Sequence, residues 1–110
     1  MRQKIVDALT PLNIELAWSQ YTGDAEDYII FSVYNNAVTD ECDNSHLSEI
    51  YYVTISYWFK SLSNLKKEKQ IKKSMLEAGF AFDGGQDLVD GNMKGISMDF
   101  IMEIPIEEEE

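Results

Sequence analysis

The chain has 110 residues, one domain's worth, and 45% of them are hydrophobic, enough for a single modest core and too many for a disordered protein. Twenty acidic residues against nine basic ones leave a net charge of −11, which argues against coating DNA or RNA, a role that needs cationic surface. No apolar run approaches the roughly 20 residues of a membrane span, the charged start MRQKIVDALTPL does not read as a secretory signal, and the single Cys42 excludes an internal disulfide framework, so a cytosolic setting is expected.

Residues 2–12 place Ile5, Val6, Leu9 and Leu12 on one face at helical spacing, and Pro11 suits the end of that helix. Ile14, Leu16 and Trp18 then alternate with Glu15, Ala17 and Ser19, a half-buried strand. Tyr21 to Asp27 reads as a hairpin-type loop, and Tyr28 to Tyr34 as a second strand with Ile29, Phe31 and Val33 on its apolar face. Seven loop residues favour antiparallel pairing of the two. Asn35 to Leu47, rich in Asn, Asp, Ser and Thr, reads as the longest irregular stretch.

Ser48 to Lys60, SEIYYVTISYWFK, is the longest run of β-formers. Tyr51, Val53, Ile55, Tyr57 and Phe59 make one wholly apolar or aromatic face, which requires a covering layer and marks this as the central strand. The other face carries Tyr52 and Trp58. Ser61 to Asn64 supplies N-cap residues for a helix from about Asn64 to Ala78, with Ile71, Met75 and Ala78 as its stripe. Gly79 then stands at the C′ position and Phe80 at the hydrophobic contact of a Schellman motif. Phe80 to Phe82 suggests a short strand and Asp83 to Gly91 reads as turn chemistry. The last strand, Lys94 to Ile106, turns Ile96, Met98, Phe100, Met102 and Ile104 inward, and Pro105 marks an edge.

The expected fold is α+β: an antiparallel sheet of four or more strands with two helices on one face, in the order α-β-β-β-α-(β)-β. Residues 1–106 form a single domain and 107–110 an acidic disordered tail.

Catalytic chemistry has little to stand on. Asp40-Glu41-Cys42-Asp43-Asn44-Ser45-His46 holds ligand types without metal-site spacing, and Cys42 with His46 lacks any nucleophile signature. No enzyme activity, metal or cofactor is expected. Six of the nine basic residues fall between Lys60 and Lys73, so the second helix presents a basic surface through Lys66, Lys67, Lys69 and Lys73 against acidic loops containing Asp40, Glu41 and Asp43. A solvated helix face is the plain reading of the lysines. The alternative is a contact between subunits, basic helix to acidic loop. Tyr52 and Trp58 on the half-open sheet face add a second interface candidate.

The segments LTPLNIELAW, YIIFSVYNN, EIYYVTISYWFKS and KKSMLEAGF, in this order, resemble the small head–tail joining or tail-completion proteins of long-tailed bacteriophages and prophages of low-GC Gram-positive bacteria. In these a YIxFxxYNN strand, a YxVxIxxW strand and an MxxAGF helix end recur, and the similarity spans roughly residues 4–104. The resemblance implies a non-enzymatic, tail-terminator-like virion protein assembled in the bacterial cytoplasm. Its subunits form a ring, often hexameric, around the DNA channel, with themselves and other tail or connector proteins as partners, and with neither membrane nor sequence-specific nucleic acid. A different class of function, a small acidic nucleic-acid mimic inhibiting a host DNA-binding protein, needs carboxylates in rows across one face. Here they are spread among loops and tail, beside a lysine-rich helix that a mimic would avoid.

Overall fold

A computed structural model describes residues 1–40 and 47–106. The first helix, α1 (Arg2–Leu9), buries Ile5 and Leu9 and passes into a 3-10 turn over Thr10–Leu12. Pro11 has no N–H to donate to the preceding turn, so the α-helix cannot continue. Asn13, at φ 58°, then turns the chain through the left-handed region that Asn tolerates.

Five strands follow: β1 (Glu15–Trp18), β2 (Asp27–Asp40), β3 (Leu47–Phe59), β4 (Ala81–Asp90) and β5 (Met93–Ile106), with helix α2 (Lys66–Glu77) between β3 and β4. They form one sheet in the order β1-β2-β3-β5-β4. The two helices pack on one face of it. Ile5, Leu9, Ile71 and Met75 meet Ile29, Phe31, Val53, Ile55, Tyr57, Phe59, Met98 and Phe100 in a single core cluster. The inward sets expected on β2, β3 and β5 are therefore the ones that carry the core, and the α+β architecture stands.

Three local expectations need correction. First, β1 pairs with β2 in parallel, Glu15 with Tyr28 through Trp18 with Phe31, so the sheet is mixed. Because β1 is only four residues long, the chain must climb back only about 13 Å at ~3.3 Å per residue, well inside the reach of the connecting residues 19–26. The reversal is made at Ser19, φ 70°, where the Gln20 N–H donates to the Trp18 carbonyl across a tight γ-type turn.

Second, the stretch from Asn35 is strand as far as Asp40, and β3 begins at Leu47. A bulge between Val33 and Asn35 absorbs one residue and lets the ladder continue, Asn36 opposite Tyr51 and Val38 opposite Glu49. The Asn36 side-chain amide also donates to the Ile50 carbonyl at 3.2 Å. Turn-forming residue types were overridden by cross-strand pairing.

Third, Asp83 to Asp90 is strand β4 rather than turn. A bulge between Phe82 and Gly85 puts Gly84 at φ 114°, a region closed to most side chains. Only Gly91 and Asn92 form the hairpin loop, with Gly91 at φ 61° in the first central position, where a type II′ turn needs glycine.

Other signals held. Ser61 caps the 3-10 turn Leu62–Leu65 that leads into α2 by accepting from the Ser63 N–H. At the far end the Phe80 N–H donates to Met75 and the Gly79 N–H to Leu76, both at 3.1 Å, which is the Schellman pattern. Pro105 sits opposite Ser48, in the part of β5 that has no β4 beside it.

One polar node ties sheet to helix. Tyr57, fully buried, donates its hydroxyl to Asp27 Oδ2 at 2.6 Å, and Lys67 Nζ donates to the same oxygen at 2.9 Å. Burial raises the Asp27 carboxyl pKa, but the Tyr57 and Lys67 hydrogen bonds and the lysine charge outweigh it and hold the group below its ordinary value. Burial, and then the Asp27 hydrogen bond, push the Tyr57 hydroxyl far up. A depressed carboxyl contributes stability that is present above its unfolded pKa and lost as pH falls through the folded one. Asp27→Asn is therefore expected to cost on the order of 2 kcal/mol at pH 7, and Lys67→Met, at a more exposed site, less than about 1 kcal/mol. Urea unfolding checks both, and the gap between wild type and Asp27→Asn should narrow at pH 3.

Candidate assembly interface

With both helices on one side, the opposite sheet face has no layer over it among the described residues. Its rungs follow from the register: Tyr28, Trp58, Gly95 and Leu88 in one row, Ile30, Ser56, Ser97 and Gln86 in the next, then Ser32, Thr54 and Asp99. Tyr52 lies further along, between Asn35 and Ile101.

This face is organised by its own side chains. The Tyr21 ring stacks on Tyr28 at 4.0 Å, and its hydroxyl accepts from the Ala25 N–H at 2.9 Å, which holds the 19–26 connection against the sheet. Trp58 lies flat across Gly95, where an added Cβ would stand 2.8 Å from the indole. A glycine directly opposite an aromatic in this way lets the ring replace the missing side chain. Thr54 donates to Asp99 Oδ1 at 2.9 Å, and Tyr34 leans on Tyr52 with ring centres 6.0 Å apart. Burial, then the nearby Asp99 and Asp83 charges, raise the Tyr34 hydroxyl pKa. Tyr52 and Trp58 thus lie on the same uncovered face, both half-buried by neighbours on that face.

Beyond the helices the three long strands continue as an arm: 35–40 of β2, 47–52 of β3 and 101–106 of β5. It accounts for the elongated outline of 51 × 24 × 23 Å. Tyr34, Asn35, Asn36 and Val38 are exposed along it, whereas the completely buried side chains stop at Val53 and Phe100. The periodicity of the sequence did not reveal this arm, because its residues have the composition of a loop. The bulge at Tyr34 also breaks the alternation there: Tyr34 lies with Tyr52 on the open face, whereas Asn36 and Val38, opposite Tyr51 and Glu49, lie on the other.

The lysines divide. Lys66, Lys69 and Lys73 are exposed along the outer side of α2, one turn apart, and form a cationic stripe. Lys67 instead points to Asp27, and Lys72 sits over the Phe82 ring at 3.9 Å. Asp40 closes β2 at the tip of the arm. Glu41 and Asp43, like Cys42, His46 and the acidic run 107–110, lie outside the described residues. The structure therefore separates the basic stripe on α2 from Asp40, far along the sheet, and does not join them within one subunit. Among the described residues no three His, Cys, Asp or Glu side chains gather as a metal site, and no helix is long and apolar enough to cross a membrane.

No protein-family model matches the sequence, and no curated protein matches it. The fold does have a counterpart. A chain of the virion of a native gene transfer agent particle superposes with a TM-score of 0.59 at 14% identity, covering 94% of this chain and 90% of that one. At that identity the likeness is one of fold, and it extends over nearly the whole length of both chains.

The fit of Trp58 on Gly95 makes the open face testable. Gly95→Ala must displace the indole, so a loss of about 1–3 kcal/mol is expected, together with a changed near-ultraviolet dichroism of the tryptophan, whereas Ser97→Ala, two residues along, should change stability by less than about 0.5 kcal/mol.

Proposed function

We propose that the protein is a structural, non-enzymatic subunit of a phage-like particle that completes the tail or joins it to the head, acting as one member of a ring around the DNA channel. The observation that carries this reading is the match over 94% of the chain to a subunit from a gene transfer agent virion. The likeness of YIIFSVYNN, EIYYVTISYWFKS and KKSMLEAGF to tail-completion proteins supports the same reading independently, from sequence.

The physical character of the surface suits it. An uncovered sheet face with half-buried Tyr52 and Trp58 offers aromatic area to a neighbour at little cost in side-chain entropy. The arm projects strands beyond the core, as a contact with a tube or connector would require. The stripe of Lys66, Lys69 and Lys73 offers a complementary partner to acidic residues of a neighbouring subunit, for which the sequence supplies Asp40, Glu41 and Asp43. A net charge of −11 would also let DNA pass a channel without adhering to its wall. On this reading the protein resides in the virion, and its partners are itself and other tail or connector proteins.

Electron microscopy of particles produced without the protein tests the role. Filled heads separated from tails, or tails of uncontrolled length, are expected; normal virions would refute it. Within the same system, Lys66→Glu/Lys69→Glu/Lys73→Glu should lower the yield of complete particles at least tenfold while the purified subunit keeps its unfolding midpoint, because exposed charges contribute little to stability.

A further inference from the structure

The two edges of the sheet differ in shape and in charge. At the β1 edge Trp18 is 59% exposed, and the Arg2 guanidinium stacks on its ring at 4.8 Å. Arg2 has no ion-pair partner among the described residues. Trp18 pairs with the inward-facing Phe31, so it projects on the helix side of the sheet. On its helix side this edge is aromatic and cationic, whereas Glu15, the one charged residue of β1, shares a row with Tyr28 on the open face.

At the β4 edge the same side of the sheet is hollow. Gly85 has no side chain, and Ser97's carbonyl oxygen stands 2.5 Å from where a Cβ would be, so none can be added. Beside it lies a cavity of about 350 Å³ walled by Phe82, Ile96 and Met98, with Glu68 and Asp87 among its lining and no basic residue in that lining. Phe82 is 40% exposed beside it, with Lys72 on its ring at one rim. This edge is concave, apolar at its floor and anionic.

The register aligns the two. Trp18 lies opposite Phe31, Phe31 opposite Ile55, Ile55 opposite Met98, and Met98 opposite Gly85, so Trp18 and Gly85 end the same transverse row. The next row ends in Leu16 and Asp87. β1 runs with β2 and against β3, and β5 and β4 alternate in turn, so a second copy displaced sideways by one sheet width brings its β1 antiparallel to β4. Its Trp18 then stands level with the cavity and its Arg2 near Glu68 and Asp87.

We infer that the two sheet edges are complementary halves of a head-to-tail contact between copies of this chain, in which Trp18 and Arg2 of one copy seat in the cavity beside Gly85 of the next. Because the two patches are different surfaces, the contact is heterologous and repeats, closing into a ring when the rotation per copy allows. An indole is an effective anchor for such a pocket, as it buries a large area on two rotatable bonds. The antiparallel approach also pairs the free backbone groups of β1 and β4, which are otherwise open sheet edges. The inference deepens the ring reading proposed above and rests on it for the closed ring, not for the contact itself.

The test uses the full chain carrying Cys42→Ser, Ala17→Cys and Gln86→Cys, two positions that end one common row through Ile30, Ser56 and Ser97 and leave Trp18, Arg2 and Asp87 in place, oxidised both as purified protein at high concentration and in assembled particles. A ladder of disulfide-linked species extending beyond the dimer is expected in at least one setting, with none beyond the dimer from either single cysteine variant. Absence of a ladder in both settings overturns the contact, and a ladder that stops at two copies shows a two-fold contact and overturns it equally. In native mass spectrometry, or in particle yield where the free subunit is monomeric, Arg2→Glu and Asp87→Arg should each lose assembly alone and regain it when mixed. No recovery in the mixture counts against the pairing. Normal virions in the absence of the protein would end the tail role and leave the ladder of the purified chain intact, whereas an essential protein that gives no ladder would end this inference alone.

Discussion

Two helices of eight and twelve residues, about 12 and 18 Å long at 1.5 Å per residue, must cover a sheet whose long strands of thirteen and fourteen residues reach about 45 Å at ~3.4 Å per residue. They can cover one face over less than half its length. The rest of the molecule follows from that shortfall. The core lies only where the helices lie, from Ile29 and Phe31 across Val53 to Phe59 and Ile96 to Phe100. One sheet face and the outer parts of β2, β3 and β5 are left to solvent or to other molecules. A chain with so much strand and so little helix leaves much of its sheet without a layer of its own among the described residues.

Keeping an uncovered sheet soluble and single-registered needs specific devices. Bulges at Tyr34 and at Asp83–Gly84 interrupt the two strands most prone to unwanted pairing. Asp83, Asp87 and Asp90 place charge along the free β4 edge, which repels a like edge while leaving a cationic one welcome. On the open face, Trp58 over Gly95 and Tyr21 over Tyr28 hold aromatic rings flat, so the surface is apolar but ordered. The node at Asp27 acts on the other side: by joining β2, β3 and α2 through one carboxylate oxygen it orients the helix, and so fixes the direction in which the Lys66–Lys69–Lys73 stripe faces.

Much of this was written in the order of residues. Alternation over 48–60 and 94–106 identified the inward faces of β3 and β5, because a period of two has only one solution when one face must be buried. Gly79-Phe80 announced the end of α2, since the Schellman geometry needs a residue free to adopt positive φ followed by an apolar anchor. The division of Tyr52 and Trp58 from the core set followed from the same alternation. The segregation of lysines to α2 was equally plain in the linear sequence.

What the tertiary structure alone decided concerns pairing and reach. Parallel pairing of β1 with β2 depends on β1 being four residues long, a boundary that residue types do not mark. The continuation of β2 through Asn35–Asp40 and the formation of β4 by Asp83–Asp90 run against local turn chemistry, because hydrogen bonds to a neighbouring strand outweigh propensities worth only tenths of a kcal/mol to about 1 kcal/mol per residue. Lys67 looked like its neighbours in the stripe until Asp27, forty positions away, took it inward. The same holds for Trp18 and Gly85, which no local pattern connects. Sequence determined which residues are buried, through periodicity that any single strand or helix must obey; only the assembled sheet decided which of the remaining residues share a surface, because that depends on register between strands distant in the chain.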